Sequence, residues 1–208
     1  STQGVSSAAS DVYKRQRRYG ASGPVSTLAT GCTGGIDAVG EALDMIRSGN
    51  ADIVIAGASD APITPIALGA FDIIGAVTND RNDKPESASR PYDASRSGFV
   101  LAEGAGIFIL EDMEHAIARD AHIFAEISGF GSTCNAHHMT DLKPDGEDLH
   151  RAMILSLADA GVAFSEISHV NAHGSSTPQN DINETNAIKR TFGDYAYLSL
   201  YTSPSPRD

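Results

Sequence analysis

The sequence predicts an α/β fold in which mixed or mostly parallel strands are covered by helices. Three observations carry the prediction. A short apolar stretch runs into a turn of small residues and then into a helix-periodic segment that ends at a second apolar run. The same alternation of apolar runs with amphipathic segments recurs to about residue 192. The bulk numbers agree: 208 residues, 41% hydrophobic and 20% charged, are enough for a domain with a real core and argue against disorder of the bulk.

The first predicted strand is Val25 to Thr30, leading into Thr30-Gly31-Cys32-Thr33-Gly34-Gly35. A helix follows over about Gly35 to Ser48, with Ile36, Val39, Ala42, Leu43 and Ile46 at three-and-four spacing and Gly49-Asn50 as its stop signal. Asp52 to Ala58 is apolar on both faces, the pattern of a central strand. An Asp- and Pro-rich segment from Ser59 to Gly98 carries a helix around Ile66 to Val77 and then several turns. Strands are expected at Gly104 to Leu110, His122 to Phe130 and Ile167 to Ala172. Helices are expected at Glu111 to Arg119, Glu147 to Ala160 and Asn180 to Phe192. Residues 1–19 and 201–208 show neither period and read as unstructured ends.

A formal charge of -12 repels phosphate backbones, and four of the 15 basic residues crowd into Lys14 to Arg18, so nucleic-acid binding is disfavoured. The longest apolar runs, such as Ala51 to Ala58, fall far short of the roughly 20 residues of a membrane helix. No apolar segment of a secretory signal follows the basic start. Two cysteines make no disulfide framework, which fits a reducing cytoplasm.

Cys32 is the residue with the most to say. Between a strand and a helix, on a turn of Gly and Thr, its sulfur meets helical N–H groups and the positive dipole end, which favour a thiolate. Its backbone N–H is a natural oxyanion donor there. The pattern fits equally a small buried cysteine filling a tight turn. The second constellation is Val170-Asn171-Ala172-His173-Gly174-Ser175-Ser176-Thr177-Pro178, where His173 closes a strand at the edge on which open α/β sheets place ligand contacts. A lone His in such a loop is commonly structural; paired with a strand-end cysteine it becomes a candidate acid, base or oxyanion donor. His137, His138 and Cys134 lack the further ligands of a metal site. Asp93, Arg96 and Glu103 are expected to pair with one another as a structural network.

Three blocks together resemble the β-ketoacyl-acyl-carrier-protein synthases over about residues 21–195: T-G-C-T-G-G (Thr30 to Gly35), R-P-Y-D-A-S-R-S-G-F-V-L-A-E-G-A-G (Arg90 to Gly106) and V-N-A-H-G-S-S-T-P-Q-N-D (Val170 to Asp181). Asp60 to Ala67 and Cys134 to Thr140 are most similar to ketosynthase α subunits of type II polyketide synthases, the enzymes of antibiotic biosynthesis. The resemblance implies a thiolase-like, layered αβαβα fold truncated at both ends. Residues 20–165 would belong to the N-terminal half and 166–200 would start the C-terminal half, with 1–19 and 201–208 as non-native or disordered flanks. It implies Cys32 as the catalytic nucleophile of a decarboxylative condensation and His173 as the group that hydrogen-bonds the malonyl thioester oxygen.

The implied partners are an acyl carrier protein, which brings the phosphopantetheine, and a chain-length-factor-like subunit or a second copy. No cofactor or metal of its own is implied. Carrier proteins are acidic, as is this chain, so docking calls for a local basic patch, for which Arg47, Arg81, Lys84 and Arg96 are candidates. A Lys-Ser-x-x-Gly-His segment and a Gly-Phe-Gly-Gly loop, both expected of the family, are missing. The chain is therefore expected to be an internal fragment, inactive as it stands and prone to aggregate through unpaired edges. A fatty-acid condensing enzyme, another thiolase-fold enzyme and a non-catalytic subunit of the same fold are the alternatives.

Overall fold

The computed structural model describes residues 16–193 and 197–199. The chain divides into two compact units, one of Ser1–Gly57 with Ile107–Ile123 and the other of Ala58–Gly106 with Phe124–Asp208. In chain order the elements are α1 (Gly34–Arg47), β1 (Ile53–Asp60), α2 (Pro65–Ile73), β2 (Gly104–Glu111), α3 (Met113–Ala118), α4 (Glu147–Ala160), β3 (His169–Asn171), α5 (Pro178–Phe192) and β4 (Tyr197–Ser199).

β1 pairs with β2 in a two-stranded sheet, and Asp112 N donating to Asp52 O at 2.9 Å fastens the end of β2 to the start of β1. In the first unit α1 buries Ala42 against Ala56 and Leu110, with Val39, Ile46 and Val54 around them. Residues 39, 42 and 46 follow the helical period, so the predicted apolar face is the one that packs. Ile36, expected on that face, is instead exposed. On the other side of this sheet, uncovered among the described residues, Ile53, Ile55, Ile107 and Ile109 are all exposed.

The second unit centres on Ala172, Ile188 and Phe192, with Tyr92, Met153, Leu157, Ile167 and Val170 packed against them. β3 and β4 run parallel, with His169 opposite Tyr197 and Asn171 opposite Ser199. α4 and α5 pack side by side, and His150 Nδ1 lies 2.9 Å from Thr191 Oγ1 between them. The helix starts obey local rules. Thr64 and Thr177 accept N–H bonds from Ala67 and Asn180 and are each followed by Pro. Asp112 caps α3 by accepting from His115 N. Left-handed Gly161 closes α4.

Several expectations are corrected. Val25 to Thr30 forms no strand, and neither does His122 to Phe130, because a strand exists only as half of a ladder and neither run has a partner among the described residues. Residues 16–19 close a helical turn, with Ala21 N bonded to Gln16 O, where none was expected. The helix expected at Ile66 to Val77 ends at Ile73, ahead of Gly75 at positive φ. Residues 1–15 and 201–208, expected as unstructured flanks, lie outside the described residues. No described helix is long and apolar enough to cross a membrane.

Candidate active site

Cys32 lies in a single 3-10 turn, Gly31–Thr33, that runs directly into α1. Gly31 takes φ +69, a left-handed conformation that needs glycine, and this turns the chain so that Cys32 stands at the start of a 14-residue helix. The thiol is exposed, which removes the reading of a buried, space-filling cysteine. Thr33 Oγ1 ties the turn down, 2.7 Å from Asp37 Oδ2 and 3.1 Å from Thr30 O. Ser26 Oγ donates to Glu41 Oε1 at 2.7 Å and pins the incoming segment to α1. An exposed sulfur at a helix N-terminus has the electrostatic setting that favours the nucleophilic form.

His173 belongs to the second unit and follows β3 by one residue, at the strand end where the sequence placed it. Its backbone is held from behind. Glu184 of α5, nearly buried, accepts His173 N–H at 2.6 Å on one carboxylate oxygen and Gly174 N–H at 2.9 Å on the other. One helical turn earlier Asp181, 1% exposed, accepts Ser176 N–H and Tyr92 N–H at 3.2 and 2.7 Å. Ser176 and Tyr92 both sit at left-handed φ, near +67 and +63, which side-chain-bearing residues rarely adopt. One carboxylate thus stabilises two strained corners in segments some 85 residues apart.

Arg96 supplies the countercharge, its Nε 3.4 Å from Asp181 Oδ2, while its other donors reach the carbonyls of Asp93 and Pro178. The expected trio of Asp93, Arg96 and Glu103 is therefore not a network. Asp93 caps Ser95, which holds its carboxyl below the usual carboxylate range. Glu103 accepts Ile63 N–H. With its side chain 12% exposed and committed to Asp181, Arg96 is also a poor member of a docking patch. Tyr92 completes the cluster: its hydroxyl donates to Glu184 Oε2 at 2.7 Å. Burial, the bond to Glu184 and the two negative charges push its ionisation well above the ordinary tyrosine range.

Tyr92 and Asp181 lay inside the family blocks without a role assigned to them, and Glu184 was not singled out; the signal for the two acids was their i, i+3 spacing on one helix. An open groove lined by Tyr92, Arg96, Asp181, Ile182, Thr185 and Asn186 borders this cluster, and His173 is not among its walls. Among the described residues no group of three His, Cys, Asp or Glu is placed to hold a metal. His138 Nδ1 instead accepts Asp141 N–H at 3.0 Å within its own turn.

Known proteins place these features in context. The β-ketoacyl synthase N-terminal domain family matches residues 13–116, and the C-terminal domain family of the same enzymes matches residues 124–204. The tetracenomycin polyketide synthase ketoacyl synthase alpha subunit of Streptomyces glaucescens is 50% identical over 178 residues, 86% of this chain and 42% of that protein. A solved type II polyketide synthase acyl-carrier protein in complex with its ketosynthase bound to the hexaketide superposes with a TM-score of 0.87 at 46% identity. It covers 89% of this chain and 46% of that one. The ishigamide ketosynthase/chain length factor gives a TM-score of 0.76 at 40% identity, over 84% of this chain and 41% of that one. The chain spans less than half the length of the curated relatives it matches. Over that span its fold is the thiolase-like fold of the ketosynthases. On the two matching domain families and the shared fold, the chain belongs to the β-ketoacyl synthase family.

Proposed function

We propose that this chain carries the acyl-accepting part of a ketosynthase that performs decarboxylative Claisen condensation in polyketide biosynthesis, with Cys32 as nucleophile and His173 as the donor to the malonyl thioester. The observation that carries the reading is the exposed Cys32 on a glycine-shaped turn at the head of α1 in a member of this family. The Cys32 thiolate attacks the carbonyl of an acyl thioester on the phosphopantetheine of an acyl carrier protein. The acyl–sulfur bond to the carrier breaks, and the pantetheine leaves as a thiolate, which takes back from solvent the proton that Cys32 gave up on ionising. Sulfur suits both halves of the cycle because thiolate is a good nucleophile and a good leaving group.

Malonyl-carrier protein then loses carbon dioxide, and the electron pair of the broken carbon–carbon bond becomes an enolate. An imidazole N–H donated by His173 to the malonyl thioester oxygen stabilises that charge as it develops. The enolate carbon attacks the acyl carbonyl on Cys32, a carbon–carbon bond forms, and the Cys32 thiolate is released. The relatives support the partners of this scheme, since one solved ketosynthase is held with its acyl-carrier protein and another with a chain length factor. Retention of Cys32 favours the catalytic subunit over a chain-length-factor-like role.

The test is intact-mass analysis after incubation with an acyl-carrier-protein thioester, using Cys32→Ala and Cys134→Ala as controls. The expected result is one acyl adduct that Cys32→Ala abolishes and Cys134→Ala leaves in place. Acylation that follows Cys134, or that survives Cys32→Ala, overturns the assignment.

A further inference from the structure

We propose that Tyr92 is a positioning residue for His173, acting through Glu184. The inference rests on the reading of His173 as a working residue of the site.

The argument begins with α5. Asp181 and Glu184 lie three residues apart, so both carboxylates leave the same face of the helix. Asp181 addresses the backbone of Tyr92 and Ser176, while Glu184 addresses the hydroxyl of Tyr92 and the N–H groups of His173 and Gly174. Tyr92 is thus gripped twice, at its backbone by one acid and at its hydroxyl by the other. It joins two separate clamps into one unit.

The hydroxyl matters because Glu184 Oε2 carries Gly174 N–H at 2.9 Å, and among the described residues its further donors are Tyr92 and a long contact from Asn180 Nδ2 at 3.4 Å. A buried carboxylate needs several donors to satisfy its oxygens and fix its orientation. Without the tyrosine bond at 2.7 Å, Glu184 Oε2 keeps only Gly174 N–H and the long Asn180 contact, a looser hold on the carboxylate that carries His173 N–H. Tyr92, meanwhile, packs against the cluster of Ala172, Ile188 and Phe192, so removing the oxygen alone leaves the core contact in place. The ring anchors and the hydroxyl aims.

The experiment compares the 208-residue protein, carrying Ile55→Lys and Ile109→Lys to cover its exposed apolar face with charge, with its Tyr92→Phe and Glu184→Gln variants by NMR, following amide hydrogen exchange and histidine ring signals. Losing a hydrogen bond to a charged group should speed exchange at His173 and Gly174 by about tenfold or more. The His173 ring signals should move in both variants. The ring signals of His150, held by Thr191 on the far part of α5, should stay in place, as should exchange at Ala187 to Phe192. Three results overturn the proposal: unchanged His173 signals in Tyr92→Phe, a response to Glu184→Gln alone, or uniform loosening of α5 in both variants. The Cys32 acylation test is independent. Moved His173 signals without acylation would leave the clamp standing and remove the ketosynthase reading, and the reverse outcome would remove only the clamp.

Discussion

Glu111, the last residue of β2, holds two basic side chains on one carboxylate. Arg119 donates to both of its oxygens at 2.6 and 2.5 Å, and His115 Nδ1 lies 2.5 Å from one of them. The arginine bonds first and the histidine bond second hold its carboxyl down at about 2, against an ordinary value of 4.5. A depressed acid contributes stability above its unfolded value and loses it as pH falls through the folded one. The difference in urea midpoint between the wild type and Glu111→Gln should therefore hold steady above pH 4.5 and close as pH falls towards about 2. It should also shrink with salt, since Arg119 and His115 are well exposed. A difference that persists at the acid end would mean Glu111 acts through packing instead. At this same scale the local settings of Cys32 and His173 were legible in the sequence because each is a local pattern, a glycine turn before a helix and a strand end before glycine and hydroxyls. The clamp behind His173 was not legible, because Tyr92 meets Glu184 across 92 positions and no local pattern encodes that pairing.

Elements were legible in proportion to how local their causes are. The predicted helix Glu147 to Ala160 is α4 to the residue, since its period and acidic first turn lie within it and its closing Gly161 follows directly. Val25 to Thr30 and His122 to Phe130 have strand composition but no ladder, because pairing depends on a neighbour that composition cannot supply. The latter run still has a structural duty at its end. Around Gly131 the chain crosses α4 so closely that a Cβ there would lie 2.4 Å from Ala152 O and 2.6 Å from Ser156 N. Gly131→Ala must push the crossing segment off the helix, with an expected loss of about 1–3 kcal/mol in chemical denaturation. Gly69→Ala, inside α2 where an added Cβ meets nothing within 4 Å, should be neutral or gain up to about 1 kcal/mol from helix propensity. Equal effects at the two sites would refute the close crossing.

At the scale of the molecule, the uncovered side of the β1–β2 sheet governs behaviour in solution. Ile53, Ile55, Ile107 and Ile109 are exposed apolar side chains on the paired strands of the first unit, and Ile109 is 70% exposed. A patch of this kind favours association over solvation. The protein should self-associate at micromolar concentration in light scattering, and the paired change Ile55→Lys with Ile109→Lys should restore dispersion without unfolding α1, whose contacts lie on the other side. A monodisperse wild type would refute the expectation. The two carboxylates of α5 have a consequence of a different kind, in the order in which the chain acquires its shape. The turn around Cys32 is fastened by Thr30, Thr33 and Asp37, partners at most a few positions apart, so ring closure there is fast and nearly free of entropy cost. The loop of His173 becomes rigid only when residue 92 reaches residue 184, a closure of long contact order that belongs late on the folding path. The turn of Cys32 can therefore mature while the loop of His173 in the second unit is still searching for its latch.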